Sequence, residues 1–503
     1  MALGRAFSVA VLGLDGQIVE IEADITSGLP GVHLVGLPDA ALQESRDRVR
    51  AAITNCNNRW PMSRLTLALS PATLPKMGSV YDLALAAAVL SAQRKKPWRQ
   101  LETVVVLGEL ALDGRVRPVR GVLPAVLAAK VAGWGAAVVP VENLPEASLV
   151  DGIEIWGVRT LAQLQGWLSG SARLDERISG TVPPAESPAD LADVMGQAQA
   201  RFAVEVAAAG AHHLMLTGPP GVGKTMLAQR LPGILPQLSG GESLEVTAIH
   251  SVAGLLSDAT PLITRPPFVA PHHSSTVAAL VGGGSGMARP GAVSRAHRGV
   301  LFLDECAEIG VSALEALRTP LEEGEIRLAR RDGVACYPAR FQLVLAANPC
   351  PCAPADPRDC ICAAAVKRRY LGRLSGPLLD RVDLRVEMHP VRMSAFATTD
   401  AESTAQVRHR VTAARDAAAQ RWRAHGFRTN AEVSGTLLRR RFRPSNAAMQ
   451  PLRTALDRGL LSIRGVDRTM RVAWTLADLA GRTSPGRDEV AVALSFRQPG
   501  ASR

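Results

Sequence analysis

Eight consecutive residues carry the clearest chemistry in this sequence: Gly218, Pro219, Pro220, Gly221, Val222, Gly223, Lys224 and Thr225. They follow the apolar run LMLT and precede MLAQRL, so a GxxxxGK[ST] pattern stands between a predicted strand and a predicted helix. Glycines at these positions let backbone N–H groups wrap a β-phosphate, and the helix N-terminus adds a favourable dipole. Lys224 then reaches the β- and γ-phosphates, and the Thr225 hydroxyl is a ligand for Mg²⁺. ATP and Mg²⁺ are the cofactors this loop implies.

Two more apolar runs end in polar residues that suit the same chemistry. VLFLDE (300–305) ends in Asp304, suited to hold Mg²⁺ through water, and Glu305, suited to polarise an attacking water. LVLAAN (343–348) ends in Asn348, which orients that water if its strand lies between the other two; a strand-end turn is the other use of such an Asn. Just beyond it, Cys350, Cys352, Cys360 and Cys362 form CxC-x7-CxC in a loop rich in Pro and Asp. Four thiolates so spaced can close a tetrahedral Zn²⁺ site, a structural one; buried free thiols are the alternative. His272 and His273 read as packing residues of an insert rather than as metal ligands.

Positioning these residues takes an α/β architecture. Residues 1–168 alternate helical stretches with short apolar runs at 32–37, 65–70, 103–110, 135–141 and 153–158, which predicts an α/β or α+β domain. Residues 169–197 are rich in Ser, Gly and Pro without apolar periodicity and read as a linker. Residues 198–394 hold the three polar-ended strands, the pattern of a parallel nucleotide-binding sheet. Residues 395–503 are Ala-, Arg- and Leu-rich with few strand signals, which predicts a helical lid.

The chain has 503 residues, 47% hydrophobic and 20% charged, enough for two to four domains and unlike disordered or fibrous chains. There is no apolar run of about 18 residues and no secretory leader pattern, so a cytoplasmic protein without a membrane partner is expected. Seven cysteines, four of them clustered, do not read as a disulfide framework. The net charge is +11, and all of the excess lies after Pro390, where twenty arginines and no lysine face nine acidic residues. Guanidinium groups grip phosphate oxygens by paired hydrogen bonds, so a nucleic-acid backbone is one reading; a solvated helical surface is the other.

The three strand ends together resemble the AAA+ ATPases. The run from Arg289 through Gly299-Val-Leu-Phe-Leu-Asp304-Glu305 resembles the ATPase subunit of magnesium chelatase. PHHSST (271–276), ALVGGG (279–284), NPCPC (348–352) and SGPLLDRVD (375–383) narrow the likeness to the Mg-chelatase-like YifB/ComM family of branch-migration helicases, as do GVHLVGLPDAALQESRDRVR (31–50) and LSIRGVDR (461–468). That resemblance implies a Lon-protease-like N-terminal α+β domain, an AAA+ P-loop parallel-sheet core and a C-terminal helical lid. It also implies a homo-oligomeric ring, expected to be a hexamer, acting on single-stranded or branched DNA in recombination or natural transformation, with recombination proteins as further partners. Within it Arg381 matches an arginine finger serving the neighbouring subunit, and Arg464 or Arg468, one helical turn apart, matches the sensor arginine on the γ-phosphate. Residues 325–340, two strands around a turn at Asp332-Gly333, resemble a hairpin that projects into the ring pore, with Arg327, Arg330 and Arg331 facing DNA. Residues 272–290 are the second pore candidate.

The N-terminal PKMGSVYDL (75–83), GELALDG (108–114) and VRPVRG (116–121) resemble the proteolytic domain of Lon, but the nucleophile position falls on Val80 and the lysine position on Ala125. Ser79 and Lys130 are out of register, so protease activity is not expected. A chelatase-type chaperone that remodels a partner protein is the alternative function.

Overall fold

The structure is a computed structural model that describes residues 3–36, 40–76, 78–176, 189–256, 261–284, 288–330, 333–354, 356–391 and 401–497. Two sheets organise it. The first has eight strands in the order Asp175–Glu176, Glu154–Val158, Ala136–Pro140, Val104–Val106, Gly4–Leu12, Asp15–Thr26, Arg64–Ser70, Gly31–Val35. All five apolar runs of the N-terminal region contribute strands. The two longest strands, Gly4–Leu12 and Asp15–Thr26, were not among them: in the second, Glu20, Glu22 and Asp24 alternate with buried Val19, Ile21 and Ala23, and in the first Arg5 and Ser8 interrupt the apolar run. These two strands form a hairpin closed by a two-residue turn at Gly13-Leu14, where Gly13 has φ +68°. A Cβ on Gly13 would stand 2.6 Å from the Cys336 carbonyl, so this turn is pressed against another part of the chain.

The second sheet is parallel throughout, ordered Phe268–Val269, Val300–Leu303, Gln342–Ala347, Leu214–Thr217, Leu384–Glu387. Its central strands read as unbroken apolar runs because both faces are covered. Leu214, Leu216, Phe302, Val344 and Val386 point to one core, and Met215, Leu301, Leu303, Leu343 and Leu345 to the other. The first of these cores continues into the C-terminal helices through Val411, Ala414, Ala418, Trp422, Met470 and Val472, so the helical region is fused to one face of the sheet. Alanines 200, 203 and 207 on helix Ala198–Gly210 keep that layer thin enough for helix Thr404–Trp422 to pack against it.

The segment expected as a linker is divided between the two units. Asp175–Glu176 pairs with the first sheet, whereas Asp190 accepts a 2.7 Å bond from the Thr404 backbone N–H and Leu191 donates 2.7 Å to the Thr404 hydroxyl. Residues 177–188 lie outside the described residues. The units also touch directly: Ser251 on helix Gly240–Ala253 donates 2.6 Å to buried Glu146, and Ala248 on the same helix enters the N-terminal core. Among the described residues no helix is long and apolar enough to cross a membrane.

Candidate active site

The Leu214–Thr217 strand delivers the chain into the Gly218–Gly223 loop, and helix Lys224–Ile234 leaves it. Gly221 and Gly223 have φ of +77° and +93°, left-handed conformations that strain any residue with a Cβ. The Lys224 ammonium, 8% exposed, donates to the carbonyls of Gly218 at 2.6 Å and Pro219 at 2.8 Å and to Asn348 Oδ1 at 3.0 Å. Burial pulls its pKa below the ordinary lysine value, while Asp304 and Glu305 pull the other way. Asn348 ends the Gln342–Ala347 strand, which lies between the P-loop strand and the Asp304 strand, so the amide stands where a water-orienting group is needed.

The Thr225 hydroxyl donates 2.6 Å to Asp304 Oδ2, and Asp304 Oδ1 accepts the Glu305 backbone N–H at 2.9 Å. This adjacent pair of hard oxygens fits Mg²⁺, which the Thr225 hydroxyl would hold directly and the Asp304 carboxylate through water. Glu305 itself has φ +47°, an uncommon conformation outside glycine. Its carboxylate lies 3.1 Å from His273 Nδ1, and the His272 and His273 rings lie tilted at 34° with centroids 4.1 Å apart. The sequence reading gave His273 a packing role; the structure instead sets it against the carboxylate expected to polarise water. The signal was its place a few residues past Val269, on the edge strand beside the Asp304 strand.

The remaining arginines lie elsewhere. Arg381 is 7% exposed, donates 2.6 Å to the Pro377 carbonyl and pairs with Glu322. Two residues later Asp383 donates its backbone N–H to the His213 carbonyl at 3.1 Å, at the start of the strands, the end away from the P-loop. Arg468 is at that end too, donating to the Arg381 carbonyl at 2.8 Å and to Asp383 Oδ1 at 2.7 Å. Arg468 therefore stands, like Arg381, at the end of the sheet away from its own P-loop. Arg464, one turn earlier on helix Ile463–Leu479, is exposed. Asp383, 1% exposed and held well below the usual carboxylate range by Arg468 and His212 despite its burial, was not singled out in the sequence.

The strands Glu325–Arg330 and Gly333–Pro338 form the expected hairpin, but it does not project freely. Leu328, Ala335 and Tyr337 pack with Val11, Leu12 and Leu14 of the N-terminal hairpin, and a Cβ on Gly333 would stand 3.1 Å from Leu12. Arg327 is exposed and paired with Glu325 two residues away. Arg331 and Asp332 lie outside the described residues, as does the side chain of Arg330. Many of the C-terminal arginines bond internally: Arg410 to Glu205 and Glu402, Arg421 to Asp478, Arg415 to the Ala208 carbonyl. Arg440, Arg441 and Arg443 remain as an exposed cluster. In the N-terminal domain the Ser79 hydroxyl bonds Glu109 and buried Lys76 bonds the Pro71 carbonyl. Cys350, Cys352, Cys360 and Cys362 come together, with their sulfurs all within 4.8 Å of one another.

Three family models match in succession: the subunit ChlI of Mg-chelatase over residues 21–143, magnesium chelatase subunit ChlI over 190–396 and its C-terminal part over 401–497. An uncharacterized protein of Mycobacterium tuberculosis is 84% identical over 503 residues, covering 100% of both chains. YifB of Escherichia coli is 39% identical over 500 residues, 99% of this chain and 97% of the other. Competence protein ComM of Haemophilus influenzae is 37% identical over 504 residues, 99% and 98% of the two chains. The Lon protease of Mycolicibacterium smegmatis is 28% identical over 172 residues, 32% of this chain.

Proposed function

The chain belongs to the Mg-chelatase-like family of YifB and ComM proteins, and from that premise we propose that it is a Mg²⁺-dependent AAA+ ATPase working as a homo-hexameric ring that translocates on DNA. Its task in this reading is to move branched junctions during homologous recombination or the uptake of transforming DNA. The observation that carries the ATPase is the convergence of Lys224, Thr225, Asp304 and Asn348 at one end of three adjacent parallel strands.

Lys224 exchanges its loop carbonyls for β- and γ-phosphate oxygens. Thr225 and Asp304 would hold Mg²⁺, which would supply charge neutralisation at the phosphates. Glu305, released from His273, takes the proton of the attacking water, and the Asn348 amide orients that water. Arg381 stands at the far end of the strands from its own P-loop, so as a finger it serves a neighbouring subunit, exchanging Glu322 for phosphate. Arg464 is exposed and free to serve such an interface. Val80 and Ala125 leave the N-terminal domain without a Ser–Lys dyad, so it acts as a scaffold.

Support for DNA is the C-terminal arginine excess with its exposed Arg440, Arg441 and Arg443, together with the name of the Haemophilus relative. The test is ATP hydrolysis with and without single-stranded DNA and a four-way junction. DNA should stimulate turnover, and log K should fall linearly with log[salt] at about 0.7–0.9 per phosphate neutralised. Absence of DNA binding at low salt with ATP and Mg²⁺ present would favour the protein-remodelling chaperone instead.

A further inference from the structure

The loop leaving Asn348 has an organisation that the ATPase does not use. Cys350 Sγ lies 3.4 Å from both Cys352 Sγ and Cys360 Sγ, Cys352 Sγ lies 3.5 Å from Cys360 Sγ, and Cys362 completes the group within 4.8 Å. Sulfurs on a tetrahedral Zn²⁺ at about 2.3 Å stand about 3.8 Å apart. Disulfide sulfurs stand about 2.05 Å apart, and none of these pairs approaches that. The four sulfurs are too close together to enclose a multi-iron cluster, which leaves a single ion.

Among the described residues the loop has local bonds, such as Arg358 to Asp356, but no core of its own. From Pro351 to Ala363 no described residue is buried, and its one large aliphatic side chain, Ile361, is 92% exposed. Ala353, directly after Cys352, takes φ +41°, a strained conformation for a residue with a Cβ. A loop without a core does not converge four thiols and hold a strained turn through weak S–H contacts alone; a shared ion supplies the missing energy. The Lys367 ammonium, on the helix Ala364–Leu371 that follows, interacts with the Cys360 thiolate and offsets part of the surplus negative charge of four thiolates on a divalent ion.

We propose that Cys350, Cys352, Cys360 and Cys362 bind one structural Zn²⁺ that clamps the chain between Asn348 and the helix Ala364–Leu371. The clamp has a mechanical destination. Just past that helix Arg373 donates 3.1 Å to the Ala307 carbonyl and 3.0 Å to Glu308, three residues from Glu305. The zinc loop thus ties the exit of the Asn348 strand to the segment carrying the acidic pair. The link to the acidic pair rests on the ATPase reading; the metal site does not.

The experiment is elemental analysis of the full chain purified without chelator, expected to give about one zinc per chain. Mercurial modification should release that zinc to a chromogenic chelator, and Co²⁺ substitution should give the spectrum of tetrahedral thiolate cobalt. Cys352→Ser and Cys360→Ser should lose the metal while Cys56→Ser and Cys336→Ser retain it, and zinc removal should speed tryptic cleavage after Arg358. Should the first two variants fail to fold, the zinc content and cobalt spectrum of the unaltered chain decide. Absence of zinc from that chain, an octahedral cobalt spectrum, or equal retention in all four variants overturns the proposal. If ATP hydrolysis is absent but zinc is stoichiometric, the ATPase reading fails and this one stands.

Discussion

Mixing two inactive variants tests where Arg381 acts. The Asp383 N–H bonds the His213 carbonyl, and Gly218 opens the phosphate loop five residues after His213. At about 3.3 Å per residue the two ends stand about 16 Å apart, and Arg381 lies beyond the nearer end, out of reach of its own P-loop. A finger is worth about 10³–10⁵ in rate, or roughly 4–7 kcal/mol. Leaving the half-exposed Glu322 costs about 1 kcal/mol, so the exchange is favourable. Rings made only of Arg381→Ala or only of Lys224→Ala should therefore hydrolyse at less than about a thousandth of the unaltered rate. In a randomly mixed ring a working site needs the P-loop of an Arg381→Ala subunit beside the finger of a Lys224→Ala subunit. With equal amounts, about a quarter of interfaces qualify, and recovery follows a parabola in the mixing ratio. Phosphate release from co-assembled rings at constant total protein measures it, with native mass spectrometry confirming mixed composition. A flat line across all ratios, with mixed rings present, would refute the trans assignment.

Glu305→Gln should bind ATP and hold it unhydrolysed, whereas Lys224→Ala should lose nucleotide affinity; retained single-turnover hydrolysis in Glu305→Gln would remove Glu305 from the water. Half-buried His213 is held neutral, desolvation lowering its pKa to about 4, and its Nδ1 accepts the Leu343 backbone N–H at 3.0 Å. A native state that disfavours the protonated ring is stabilised above the unfolded pKa of about 6.5 and loses that advantage, up to about 3 kcal/mol, as pH falls towards 4. Thermal melts at pH 7.5 and 5 should show the loss, and His213→Gln should flatten it. Asp383→Leu leaves Arg468 with an unpaired charge at the sheet's starting edge and should cost about 3 kcal/mol in urea unfolding.

The P-loop and the acidic strand end were legible because strand, loop and helix are contiguous there, and apolar runs mark strands covered on both faces. Asp15–Thr26 escaped because alternate residues carry charged side chains, and Gly4–Leu12 because Arg5 and Ser8 interrupt its apolar residues. Relations between distant segments escaped for another reason. Nothing in the local pattern of Arg468 says that its face meets Asp383, nothing in PHHS says that His273 meets Glu305, and the Leu328–Tyr337 contact with Val11 and Leu12 joins residues more than 300 positions apart. The cysteine spacing announced a cluster, but only the fold brought the sulfurs within reach of one ion.

The seam between the two hairpins gives the N-terminal sheet the mechanics of a lever. Its fulcrum is the Gly13-Leu14 turn, pressed against the backbone of Cys336, and its arm is the sheet itself. The strand Asp175–Glu176 lies four strands from Gly4–Leu12, about 19 Å at 4.8 Å per strand. A tilt of about 10° at the seam therefore displaces the far edge by about 3 Å, comparable to one residue's rise along a strand. A displacement too small to matter at the hairpin therefore corresponds to a full register step at the rim, which is what the second contact, Ser251 to Glu146, restrains.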